Sequence, residues 1–123
     1  MRMNLPLALC AAFLLVSTAT QAADLAAGEK VFKKCFACHT LEPGKKKVGP
    51  SLHGIVGRKS AEMKGFSYSK AMREADVTWN EAALDKYLEN PRGFIKGNRM
   101  SFPGLKNPQD RENVIAYIKE KGK

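Results

Sequence analysis

The sequence predicts an all-α domain. Three observations carry that expectation. Apolar residues recur at helical spacing in segments with recognisable caps, no stretch alternates convincingly as a strand, and the intervening segments are long and rich in glycine and proline. Loops of that length in a small domain need something to wrap around.

The elements follow in chain order. Asp24 can cap a first helix running to about Cys38, with Leu25, Val31, Phe32 and Cys35 spaced for one face. Residues 40–66 hold five glycines and two prolines without a sustained period, and read as loop. A short helix is expected over Ser69–Glu74. In "TWNEAALDKYLENP", Thr78 and Glu81 have capping-box spacing, and Leu84, Tyr87 and Leu88 fall on one face. Pro91 ends that helix. Residues 91–107 again read as loop. Asn107 caps a last helix with Pro108 at its first position, Val114, Tyr117 and Ile118 on its buried face, and Gly122 near its end.

The 123 residues suggest one domain, preceded by a leader. Arg2 gives a positive start, "LPLALCAAFLLVS" an uncharged apolar run, and "TATQAAD" a small-residue cleavage site after Ala22 or Ala23. This is the pattern of a secretory signal peptide over residues 1–22, leaving residues 23–123 as the domain. The run is short of the ~20 residues of a membrane span. Cys10 would leave with the leader. The remaining ~100 residues can bury only about two-thirds of their chain surface, and large aliphatic residues are few, so a large buried cofactor would supply missing core. Removing Arg2 leaves 20 basic and 12 acidic residues, net +8. Export argues against a nucleic-acid partner and favours an acidic protein or an anionic membrane surface.

The chemistry concentrates in "KKCFACHT", residues 33–40, which holds the two cysteines a mature chain would keep. A redox dithiol of this spacing belongs near a βαβ pattern, and none is visible. A zinc site needs two more ligands at matching spacing, and the mature chain has no further Cys and only His53 beyond His39. A disulfide closing so small a loop adds little stability. Attachment of a c-type haem uses all three of Cys35, Cys38 and His39. One helical turn separates the thiols, and His39 follows four residues after Cys35, so both thioethers and an axial nitrogen can come from one turn. Export fits this reading.

The segments "GEKVFKKCFACHT", "KVGPSLHGIVGRK", "GFSYSKAM", "TW", "YLENPRGFIKGNRMSFPGL" and "RENVIAYIK", from about Gly28 to Lys121, resemble the class I cytochromes c, soluble bacterial c2-like and mitochondrial-type. The resemblance implies three to five helices with long loops around one covalently attached haem c. It implies Met100 as the sixth ligand, ahead of Met63, Met72 and His53. It implies that the Pro50 carbonyl accepts the His39 ring N–H, and that Arg58, Tyr68, Trp79 and Asn98 solvate the haem propionates. Tyr87 would stand near the methionine, Phe102 would cover the haem edge, and Gly28 and Tyr117 would mark the crossing of the first and last helices. Ser51, Met72 and Asn98 depart from the family's common residues.

An iron with both axial positions filled suits electron transfer rather than catalysis, so no enzymatic activity is expected. Residues 30–59 hold eight Lys or Arg against one acid, and residues 92–106 four against none. The family pattern turns these into a basic ring at the haem edge, including Lys33, Lys34, Lys45, Lys46, Lys47, Lys96 and Arg99, which steers acidic redox proteins into contact. The expectation is a monomeric periplasmic carrier. It would take electrons from a bc1-type complex or a periplasmic dehydrogenase and deliver them to a terminal oxidase, a peroxidase or a photosynthetic reaction centre.

Overall fold

A computed structural model describes residues 22–123, and the expected leader lies outside them apart from Ala22. Five helices follow one another: α1 (Leu25–Phe36), α2 (Lys70–Glu74), α3 (Glu81–Glu89), α4 (Pro91–Phe94) and α5 (Pro108–Lys121). Among the described residues there is no strand, only an isolated antiparallel bridge between Lys59 and Thr78. The all-α expectation holds.

Local chemistry explains most of the boundaries. The Asp24 carboxylate accepts the Ala27 N–H at 3.0 Å and starts α1. Asn107 caps α5 through the Gln109 N–H at 2.8 Å, Pro108 takes the first turn where no N–H is needed, and Gly122 closes the helix. Ser69 caps α2 through Met72 N–H. Three boundaries differ from the sequence expectation. The cap of α3 is Asn80, whose side chain accepts the Ala83 N–H at 2.8 Å, while Thr78 is drawn into the bridge with Lys59. Regular α1 ends at Phe36 rather than Cys38. Residues 91–94, read as loop, form the short α4, whose N–H groups are started by the Asn90 side chain.

The helices pack through a core of Val31, Phe32, Leu84, Tyr87, Ile95, Leu105, Val114, Ile115 and Ile118. Leu25, expected on the buried face of α1, is 41% exposed at the helix start. The crossing of α1 and α5 depends on Gly28. A Cβ there would come within 2.1 Å of the Asn113 carbonyl oxygen and 2.8 Å of Tyr117 Cβ, so only glycine lets the helices approach this closely. Asn113 also accepts the Asp24 N–H at 2.9 Å, tying the start of α1 to α5. This frame leaves the long segments 37–69 and 95–107 to wall one cleft.

Candidate haem site

Cys35, Cys38, His39 and Met100 line the same cleft. The end of α1 places the first three. The Cys38 and His39 N–H groups both bond the Cys35 carbonyl, at 3.0 and 2.9 Å, so helical spacing continues for a turn past the regular helix. The two thiols are free, Cys35 half-buried and Cys38 exposed. Burial pushes the Cys35 thiol up to about 11, because the charged thiolate would lose its water.

His39 is fixed from behind. Its Nδ1 lies 2.7 Å from the Pro50 carbonyl oxygen, so the carbonyl selects the tautomer protonated at Nδ1 and leaves Nε2 as the free lone pair. Burial is the main cause holding the imidazole below its ordinary value, with Lys47 and Arg58 acting in the same direction and the Pro50 bond opposing them. Gly49 forms the cradle. A Cβ there would come within 2.4 Å of the ring Cε1.

Met100 comes from the opposite end of the sequence. The Tyr87 hydroxyl lies 3.8 Å from its sulfur, and the Asn98 side-chain oxygen accepts its backbone N–H at 2.9 Å. Burial pushes the Tyr87 phenol up to about 12, which keeps it a neutral donor. The rest of the lining is mainly apolar, with Leu52, Ile55, Leu84, Leu88, Ile115 and Ile118 among it. Trp79 and Tyr87 pack with ring centroids 4.9 Å apart. A basic nitrogen, a thioether, two thiols and an apolar wall fit a haem covalently held at Cys35 and Cys38.

The other predicted residues divide. Pro50, Arg58, Tyr68, Trp79, Tyr87 and Phe102 line the cleft. Arg58 spends Nη1 on the His53 carbonyl and Nη2 on that of Ser51, so it braces the His39 side before it can serve a carboxylate. Asn98, expected among the propionate donors, is not among the residues that line the cleft. Its amide bonds the Pro91 and Ile95 carbonyls, both at 2.8 Å, which makes it a fastener of the Met100 segment. Met72 lines the cleft, whereas Met63 and His53 do not. The Met63 sulfur instead accepts the Ser51 N–H at 3.3 Å. Lys34 and Arg99 reach the cleft wall, and Lys33, Lys45, Lys46, Lys47 and Lys96 are exposed. The sequence reading missed Gly49, whose role shows only once the histidine ring lies against it.

The Cytochrome c family model matches residues 25–121. The chain belongs to the cytochrome c family. Cytochrome c2 of Rhodomicrobium vannielii is 49% identical over 109 residues, covering 88% of this chain and 87% of the relative. Cytochrome c of Chlamydomonas reinhardtii is 52% identical over 101 residues, covering 80% and 90%. Among solved structures, cytochrome cH from Methylobacterium extorquens superposes with a TM-score of 0.76 at 41% identity, covering 80% of this chain and 99% of that one. Members of the cytochrome c family are haem-bearing electron carriers rather than enzymes, and this cytochrome is a class I c-type member with the small all-α cytochrome c fold. The helices fall within the three to five that the resemblance implies, with α4 added to the four read from the sequence.

Proposed function

We propose that this cytochrome is a periplasmic one-electron carrier holding one haem c, attached through Cys35 and Cys38 and ligated by His39 and Met100. The observation that carries the proposal is the shared cleft: a histidine with Nδ1 already bonded and a methionine steadied by Tyr87 and Asn98 line it together with both thiols. When bound, the haem supplies a one-electron iron couple with no open coordination position.

The chain's own residues set the conditions for that couple. The Pro50 carbonyl keeps His39 oriented and makes it a better donor. The Met100 thioether and the apolar lining both favour the reduced, less charged iron, which raises the potential. Tight fastening on both sides keeps the two oxidation states alike in shape. Arg58, Tyr68 and Trp79 line the same cleft and are the candidates for satisfying the propionates, with Phe102 covering the haem edge. Lys33, Lys34, Lys45, Lys46, Lys47, Lys96 and Arg99 form the surface for acidic redox partners, which the monomer meets transiently. The donor would be a bc1-type complex or a periplasmic dehydrogenase. The acceptor would be a terminal oxidase, a peroxidase or a photosynthetic reaction centre. Residues 1–22 act as the signal peptide and residues 23–123 as the mature domain, which N-terminal sequencing of the purified protein checks.

The test is a potentiometric titration of the purified holoprotein followed through its visible spectrum. A single one-electron wave at a clearly positive potential is the expected result. A potential well below that of the quinone pool would overturn the His39/Met100 assignment and the position downstream of quinol.

A further inference from the structure

The segment carrying Met100 has almost no backbone support of its own. Between Asn98 and Leu105 no residue donates or accepts a backbone–backbone hydrogen bond among the described residues. Its shape is therefore decided at its two ends. Asn98 fastens the first end. The second end is fastened from α5. Arg111, 6% exposed, donates from Nη1 to the carbonyls of Leu105 at 2.9 Å and Lys106 at 3.2 Å, and from Nε to Asp85 on α3 at 2.7 Å.

A buried guanidinium is an expensive way to join two helices, since an ion pair taken out of water often returns no net stability. What it provides here is geometry. The planar fork holds two consecutive carbonyls and a carboxylate in one fixed arrangement, which an ammonium cannot reproduce. Those carbonyls directly follow Gly104, whose φ of +105° and close approach to the Glu89 carbonyl leave no slack. The Leu105 N–H completes the anchor on the Leu88 carbonyl at 2.7 Å, and Leu88 lines the cleft.

We infer that Arg111, braced by Asp85, is a positioning residue for Met100: it holds the far end of the 99–104 segment so that the thioether stays seated in the cleft. This rests on the reading of Met100 as the sixth ligand. Losing Arg111 frees two carbonyls to seek water and loosens that end of the segment, leaving the Leu105–Leu88 bond, the Arg99 bond to the Ser67 carbonyl and Asn98 to hold it.

The test is the rate at which carbon monoxide binds the reduced holoprotein, because the ligand enters only when Met100 leaves. Arg111→Met is expected to bind at least about tenfold faster than the unaltered protein, and Arg111→Lys to fall between them. Val114→Ala, a fully buried α5 substitution away from the segment, is the control for general loss of stability and is expected to leave the rate unchanged. Asp85→Asn, which keeps the guanidinium, serves if Arg111→Met does not fold, and is expected to accelerate binding as well. Arg111 variants that exclude carbon monoxide as well as the unaltered protein does would overturn the inference while leaving Met100 as ligand. Equal acceleration in Val114→Ala would reduce Arg111 to a structural role and overturn it too. Fast binding by the unaltered protein would instead remove the Met100 ligation, and the inference with it.

Discussion

The side-chain oxygen of Asn98 accepts the backbone N–H of Met100 at 2.9 Å, while the same amide donates to the carbonyls of Pro91 and Ile95. One side chain thus joins the end of α4 to the residue that presents the thioether. Asn98→Ala removes these bonds and leaves the Met100 N–H without its partner, at a cost of about 1–3 kcal/mol, while the Pro91 and Ile95 carbonyls keep their backbone donors. The reduction potential is expected to fall along with stability, because the sulfur would hold its position less well. Potentiometry and denaturant unfolding on the same sample check both. A destabilised variant with an unchanged potential would confine Asn98 to a structural role.

The contact between Gly49 and the His39 ring gives a second expectation. A methyl group at 2.4 Å from Cε1 must displace either the ring or the backbone carrying Pro50. Overpacking of this kind costs about 1–3 kcal/mol. Gly49→Ala is expected to lower the thermal midpoint and shift the visible spectrum as the His39–Pro50 bond lengthens. Retention of the parent spectrum and midpoint would show that the cradle has room.

Helix caps were legible because they are local. Asp24, Asn107, Pro108 and Gly122 each act on groups within a few residues, and each stands where the sequence places it. Thr78 misled because its spacing to Glu81 matches a capping box, yet the fold spends Thr78 on a bridge with Lys59, 19 residues away in the chain, and Asn80 takes the cap. The four residues of α4 are too few to show a period. The cleft residues were legible through their motifs, but not the partners of their donors. Arg58 and Asn98 bond carbonyls whose positions exist only after the loops close. Nothing in the residues adjacent to Arg111 marks it as buried. Its burial depends on Asp85, which the fold brings in from 26 positions away.

Tyr87 yields a pH dependence. Its phenol is pushed up to about 12 by burial, against an ordinary value of 10.0. A raised folded-state value means that the native protein holds its proton where the unfolded chain has lost it. The resulting stability is fully present below pH ~10 and is lost as the pH rises through about 12, an effect on the order of 2–3 kcal/mol. Tyr87→Phe has no such proton, so its stability should fall less over that window. Denaturant midpoints of both proteins at pH ~9 and ~11.5 measure the difference. Parallel decline in the two would remove Tyr87 as the source.

Lys33 and Lys34 lie exposed in the last turn of α1, and Lys34 reaches the cleft wall. Neither makes an ion pair among the described residues, unlike Lys45, which meets Glu42 at 3.2 Å. Lys46 bonds the Gly65 carbonyl and Lys47 sits 4.1 Å above the Phe36 ring, so parts of that run are held by the protein itself. Lys33 and Lys34 are therefore charges near the cleft whose side chains are not engaged elsewhere among the described residues, although Lys46 and Lys47 keep their charge as well. Replacing Lys33 and Lys34 with Gln removes two charges from the field that, under the proposed function, steers an acidic partner, without disturbing a bond that holds the fold. Association with a bc1-type complex, followed by stopped-flow electron transfer, should slow severalfold at low ionic strength, and the salt dependence should flatten. Near ~0.5 M salt the two proteins should converge, because the Debye length there is only a few ångströms. A variant that stays slower by the same factor at every ionic strength would place the effect in short-range contact at the cleft mouth rather than in steering.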